Sequence, residues 1–115
     1  MAFRRPNSDE LRLIGFLISA AKSFVAPQNW ECNLRVKEMD DGGMGSLRLL
    51  PDEQTRERRV FGSQVSECKF TDSDGTEVIA SLNLDDKGDL YELDIWKTDF
   101  GRLLRIPALF RDVRS

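Results

Sequence analysis

Glu92 and Asp94 are the pair whose spacing most invites chemistry, two carboxylates at alternate positions of the run Leu90-Tyr91-Glu92-Leu93-Asp94-Ile95-Trp96-Lys97. On a strand they stand about 7 Å apart on one face, a separation at which one carboxyl could protonate a glycosidic oxygen while the other activates water. Any Glu-x-Asp on a strand shares that spacing, however, and Trp96 is the one aromatic platform beside it. The pair is therefore read as a sheet face rather than a catalytic dyad. The chain contains no histidine, which removes the commonest general base, the usual hydrolase triad and the commonest zinc ligand together. Calcium fares no better. Aligning Gly75 with the glycine of an EF-hand loop puts Phe70 and Ser81 at its first and last ligand positions, and aligning Gly88 puts Lys87 at another. The glycines of Gly42-Gly43-Met44-Gly45-Ser46 suggest an anion cradle, but no lysine follows and the segment joins two strands instead of opening a helix. No catalytic residue, cofactor or metal is expected, and the protein is read as non-enzymatic.

Binding is the alternative that the same residues support. Ile79, Glu92, Asp94 and Trp96 fall on one outward sheet face, and a tryptophan beside carboxylates on an open face suits an interface anchor for a basic protein partner. Equally, the C-terminal segment could fold over Trp96 and bury it. Net charge is -3 with a sequence pI near 5.0, which argues against general nucleic-acid binding. Arg56, Arg58 and Arg59, and Arg102, Arg105, Arg111 and Arg114, cluster locally without the interleaved aromatics that stack bases. They are read as solvated surface.

Turn chemistry sets the strands that must carry this face. Ser73-Asp74-Gly75 suits a three-residue hairpin loop ending in a left-handed glycine. Pairing Asp72 with Thr76 sets Phe70 opposite Val78, Cys68 opposite Ala80 and Ser66 opposite Leu82. Asp85-Asp86-Lys87-Gly88, with Leu84 opposite Asp89, then sets Leu82 opposite Tyr91, Ala80 opposite Leu93 and Val78 opposite Ile95. The reverse face carries the rows Lys69/Ile79/Asp94, Glu67/Ser81/Glu92 and Thr71/Glu77/Trp96. Earlier, Asp41-Gly42 reads as a two-residue turn placing Val36 opposite Leu47, Leu34 opposite Leu49 and, outward, Arg35 opposite Arg48. That like-charge pair is mildly destabilising unless an acid lies near.

The inner face needs a cover. Asn7 can cap a helix with Glu10 at its third position, and Leu11, Ile14, Leu17, Ile18, Ala21, Phe24 and Val25 recur at helical spacing up to Pro27. Residues 8–25 would span about 27 Å, the length of the strands. At 115 residues the chain is one domain, residues 1–115. Arg4-Arg5 before an apolar stretch resembles a signal peptide, but Asp9 and Glu10 interrupt it and cleavage would remove the only cover for the sheet. Leu13–Ala21 is too short to span a bilayer, which takes about 20 apolar residues, so a cytoplasmic protein with no membrane partner is expected. Cys32 and Cys68 fall on inward strand positions and are read as two buried thiols. Phe100, Leu103, Leu104 and Ile106 are expected to be buried, and Pro107 to open a short helix through Val113 with Leu109 and Phe110 inward.

Met39-Asp40-Asp41-Gly42-Gly43-Met44-Gly45-Ser46-Leu47 and Leu90–Phe100, with the stretch closing at Pro107, resemble a family of small uncharacterised bacterial proteins over residues 4 to 107. The carboxylate-rich Glu-Leu-Asp-x-Trp-Lys strand in a small acidic domain is also similar to immunity proteins that neutralise bacterial toxins. That likeness implies an inhibitor of a basic partner and assigns no residue. The expected fold is α+β: an N-terminal helix on one face of an antiparallel meander of about five strands at 29–40, 44–50, 62–72, 76–84 and 89–97. Two other functions stay open. One is a small-ligand or enzymatic domain using Glu92 and Asp94, and the other a homo-oligomer subunit joined through the open sheet face.

Overall fold

The computed structural model describes residues 3–52 and 58–113. Helix α1 (Ser8–Ala20) packs on a five-stranded antiparallel sheet built from β1 (Arg35–Glu38), β2 (Leu47–Leu50), β3 (Phe61–Thr71), β4 (Glu77–Asp85) and β5 (Leu90–Lys97), with a short helix α2 (Trp30–Asn33) before β1. The α+β architecture is as expected. Strand order is β1-β2-β5-β4-β3, so β3, β4 and β5 form the expected run of hairpins while β5, not β3, is the neighbour of β2. Arg56 and Arg114 lie outside the described residues.

Helix α1 begins as its sequence requires. The Asn7 side chain accepts from the Glu10 amide at 2.8 Å, and the Glu10 carboxylate accepts from the Asn7 amide at 2.9 Å. This reciprocal box satisfies two amides that the helix cannot pair itself. The helix stops at Ala20, earlier than the expected residue 25. Ser19 donates its hydroxyl to the Gly15 carbonyl at 2.7 Å, a local bond that competes with further helix, and no large apolar side chain follows until Phe24. Phe24 packs against the core from an extended segment, and Val25 is exposed. At 1.5 Å per residue α1 covers about 20 Å, part of the sheet rather than its whole length. Leu13, Ile14 and Leu17 are its buried apolar side chains; they join one core with Val36, Leu49, Phe70, Val78, Ala80, Leu82, Leu93 and Ile95, the helix lying chiefly over β3 and β4.

The β3–β4 register is the expected one, with Phe70 opposite Val78, Cys68 opposite Ala80 and Ser66 opposite Leu82. The other two hairpins are displaced by two residues. In β4–β5, Leu82 pairs with Leu93, Ala80 with Ile95 and Val78 with Lys97. The turn closes one step tighter than expected, since the Asp85 amide donates to the Asp89 carbonyl at 2.8 Å. A bulge adds the second step, because Leu84 pairs with Leu90 but Asn83 with Glu92, leaving Tyr91 as the extra residue. In β1–β2, Val36 faces Leu49 and Glu38 faces Leu47, and Lys37, not Arg35, faces Arg48. Asp41 is the cause. Its carboxylate accepts from the amides of Met44 (3.1 Å) and Ser46 (2.9 Å), so the chain wraps around it through Gly42, Gly43 and Gly45 at φ of 75, 84 and 100°. The result is a wide loop, Met39–Ser46, instead of a two-residue turn. A displacement of two preserves side-chain parity, so each apolar set still faces the helix.

Three further expectations change. Residues 29–34 hold α2 rather than strand, which leaves Cys32 exposed while Cys68 is buried; both are free thiols. Among the described residues the tail forms no helix after Pro107. Residues 101–113 hold no helix or strand, with Ile106 buried, Leu103 and Phe110 half-buried, and Leu104 and Leu109 exposed like Phe100 before them. Each sheet edge is bridged at one position, β1 between Arg4 and Val36 and β3 between Lys69 and Arg111. A bridge of this kind occupies that part of the edge against pairing with another chain.

Candidate functional site

Strand β5 alternates cleanly at its C-terminal half: Leu93, Ile95 and Lys97 point inward and are buried, Asp94 and Trp96 point outward and are exposed. The observed register places Trp96 beside Ile79 and Lys69, and Asp94 beside Ser81 and Glu67. Ile79, Asp94 and Trp96 are thus brought together. Glu92 is not part of that group. It sits two residues along the strand in a row with Asn83 and Arg48, and its carboxylate accepts from the Arg48 guanidinium at 3.1 Å. Arg48 also lies 4.5 Å from the centre of the Tyr91 ring, so this end of the outer face is a neutralised polar row.

Lysine at an inward position is the unexpected feature of β5. Lys97 is 1 % exposed and donates to Asp72 (2.9 Å), Asp74 (2.7 Å) and the Arg102 carbonyl (2.9 Å), using all three of its protons. Its hydrogen bonds to Asp74 and then Asp72 outweigh burial and raise its pKa. Asp72 accepts in addition from the amides of Ser73 (2.7 Å), Leu104 (2.9 Å) and Arg105 (3.0 Å). Burial pushes the Asp72 carboxyl up, but these amides and Lys97 together hold it below the ordinary carboxylate range. One carboxylate therefore ties the β3–β4 turn, the end of β5 and the tail together.

The second turn repeats the device. Asp85 accepts from the amides of Lys87 (2.8 Å) and Asp89 (3.0 Å) and from the Arg59 guanidinium (2.8 Å). Arg59 also donates to the carbonyls of Leu49 (2.7 Å) and Leu90. It anchors the β2–β3 crossing and has Tyr91 against it, the ring centre 5.2 Å away.

The Lys97 anchor dictates what happens to the surface. The Phe100 amide donates to the Lys97 carbonyl at 2.8 Å, and Phe100 takes φ of 62°, a left-handed conformation that is an outlier for a bulky side chain. The turn sets its ring beside Trp96, centroids 6.2 Å apart, with Trp96 43 % and Phe100 70 % exposed. The tail thus neither covers Trp96 nor leaves it alone. It adds a second exposed aromatic to it. Asp94, Glu77 and Asp99 are exposed around this pair, and Ile79 forms its half-buried floor.

Asp72, Lys97 and Phe100 were not among the site residues expected from sequence. Lys97 carried a readable signal, since it shares the parity of Leu93 and Ile95, and a lysine on an apolar parity needs a buried acid. Phe100 carried none, because its exposure depends on the tail's anchoring. Among the described residues no group of three or more His, Cys, Asp or Glu side chains could hold a metal ion, and no helix is long and apolar enough to cross a membrane.

These features define a small α+β domain that presents an aromatic pair on a stiff sheet face. The chain belongs to the family described as a domain of unknown function, DUF6984, whose model matches residues 3–107. No curated protein and no solved structure matches it.

Proposed function

We propose that this domain is a non-enzymatic protein-binding module that engages a basic partner through Ile79, Trp96 and Phe100, with Asp94, Glu77 and Asp99 as the charged rim. The observation that carries the reading is the exposed Trp96–Phe100 pair, held out by a left-handed Phe100 instead of buried against a nearby core. Strain of this kind costs about 1–3 kcal/mol and concentrates where structure is kept for function. Aromatic side chains on a rigid face are also typical energetic centres of interfaces. An immunity-like role, neutralising a basic toxin inside the producing cell, is the form of this reading that the acidic rim and net charge favour. The enzymatic alternative loses ground, since the Glu92 carboxylate is committed to Arg48.

The test is capture from an extract of the source cells on the immobilised protein, followed by binding kinetics with the captured partner. Trp96→Ala should speed dissociation, because losing a central aromatic anchor typically costs about 2 kcal/mol or more. Asp94→Lys should mainly slow association. Glu92→Lys should do less than Asp94→Lys. A partner that binds the Trp96→Ala, Asp94→Lys double variant as well as the parent sinks the assignment.

A further inference from the structure

The two ends of β5 carry the same kinds of chemical group, and at one end a member is missing. Near the start of the strand the set is complete. The Glu92 carboxylate accepts from the Arg48 guanidinium at 3.1 Å, and that guanidinium lies over the Tyr91 ring, 4.5 Å from its centre. The planar cation is thus shared between an acid and the negative face of a ring. Near the end of the strand there are two rings and three carboxylates without a cation. Trp96 and Phe100 are both exposed, with their planes inclined at 58°. Asp94 is met only by the Ser46 hydroxyl, at a long 3.4 Å, and Asp99 by the Gly101 amide (2.8 Å) and the Thr76 hydroxyl (3.4 Å). Among the described residues the Glu77 carboxylate accepts no hydrogen bond, and none of the three acids forms an ion pair. Lys69 shares the Trp96 row and pairs with none of them.

We propose that the missing member is an arginine side chain of the partner, seated against the Trp96 and Phe100 rings and paired with Asp94. The proposal rests on the protein-binding reading above and names the group which that surface recognises. Asp94 and Trp96 are alternate residues on one face, about 7 Å apart, within the span of one arginine side chain lying over the ring. A guanidinium suits the place better than an ammonium. It is planar and weakly hydrated, so it can stack on a ring while its fork donates to a carboxylate, whereas the lysine head group is a compact, strongly hydrated point charge. Charge also selects the source of the arginine. The chain's own net charge of -3 repels a second copy and attracts a basic partner.

The full-length protein tests this by NMR with the peptide acetyl-Gly-Arg-Gly-amide as probe. The chain's two tryptophans separate the surfaces, because the Trp96 indole resonance should shift saturably and that of Trp30 should not. Acetyl-Gly-Lys-Gly-amide should bind about three- to tenfold more weakly. Trp96→Leu keeps an apolar side chain but removes the ring; read on the amides of residues 94–99, it should weaken the arginine probe by a similar factor. Asp94→Asn should weaken it too and flatten its salt dependence. Phe100→Gly removes the second ring while easing the left-handed position, and gives the same readout should Trp96→Leu fail to fold. A parent whose Trp96 ignores the arginine probe, or responds equally to the lysine probe, overturns the guanidinium assignment. The protein-binding reading survives that result where the captured partner still loses affinity on Trp96→Ala, and falls with it where the partner does not. Sedimentation should show a monomeric parent; a dimer that Trp96→Leu abolishes would overturn the proposal in favour of a second copy on this face.

Discussion

Removing the carboxylate of Asp72 is the sharpest test of how the site is built. Asp72 is 3 % exposed, and its two oxygens accept from Lys97, Ser73, Leu104 and Arg105. Asp72→Ala leaves Lys97 with Asp74 and the Arg102 carbonyl, but leaves the tail amides of Leu104 and Arg105 without acceptors. Breaking a buried ion pair by removing one partner costs about 3–5 kcal/mol. The Leu104 and Arg105 amides that lose their acceptor are only part-buried, so water can replace part of what they lose and each adds less than the about 1–3 kcal/mol of a fully buried orphan. Urea unfolding should therefore show a loss of about 3–5 kcal/mol, and hydrogen exchange should show Leu104 and Arg105 losing protection before the core strands do. Asp72→Asn should cost less, since one oxygen remains for two of the four bonds. The pH dependence has a definite sign. A folded-state pKa held below the unfolded value means that Asp72 contributes stability above the ordinary carboxyl range, lost as pH falls through the depressed folded value. The gap between parent and Asp72→Asn should accordingly be constant near neutrality and shrink below about pH 4. Asp72→Ala unfolding within about 1 kcal/mol of the parent, with tail amides equally protected, would show that the node is not what orders residues 100–107.

Two other consequences are quickly checked. Cys32 is exposed, whereas burial pushes the Cys68 thiol up to about 12, so a thiol reagent should titrate one cysteine in the native protein and two after unfolding. Leu17 is fully buried and Ile18 only partly so; denaturation should give about 2–5 kcal/mol for Leu17→Ala and clearly less for Ile18→Ala, and equal small losses would remove α1 from the core.

How much of this was legible follows from which forces act locally. The capping box at Asn7 and Glu10 was readable because both partners lie within one helical turn. The β3–β4 register was readable because Gly75 at φ of 84° leaves one way to close the loop. The other two registers each missed by two residues, through the Asp41 side chain in β1–β2 and through a tighter backbone closure plus a bulge at Tyr91 in β4–β5. Asp41 gathers the amides of Met44 and Ser46, and Asp85 closes on Asp89 while capping its own turn. Neither a side-chain wrap nor a bulge is visible to a rule that counts loop residues and weighs glycine. The face survived both errors since strand parity is unaffected by an even displacement. Ile79, Asp94 and Trp96 were therefore placed on one surface correctly, and Lys69 beside Ile79, while the β5 member of each row was displaced by two.

The tail was the least legible part, and it is what shapes the site. Phe100, Leu104 and Leu109 look like core residues by composition, yet the polar groups decide their positions: Asp72 captures two tail amides and Lys97 captures the Arg102 carbonyl, so the chain is committed before its side chains are. Buried ion pairs are often no more stabilising than an apolar substitute, which makes stability a weak reason for a lysine among Leu93, Ile95 and Val78. What the Lys97 node does achieve is direction. It ties the end of β5 to the β3–β4 turn and to the Arg102 carbonyl, just after the left-handed turn at Phe100, and from there the chain runs past Arg12 to the β3 edge. The buried lysine at the end of β5 thus sits where the strand hands over to the tail, between the exposed Trp96–Phe100 pair and the stretch that Asp72 fixes.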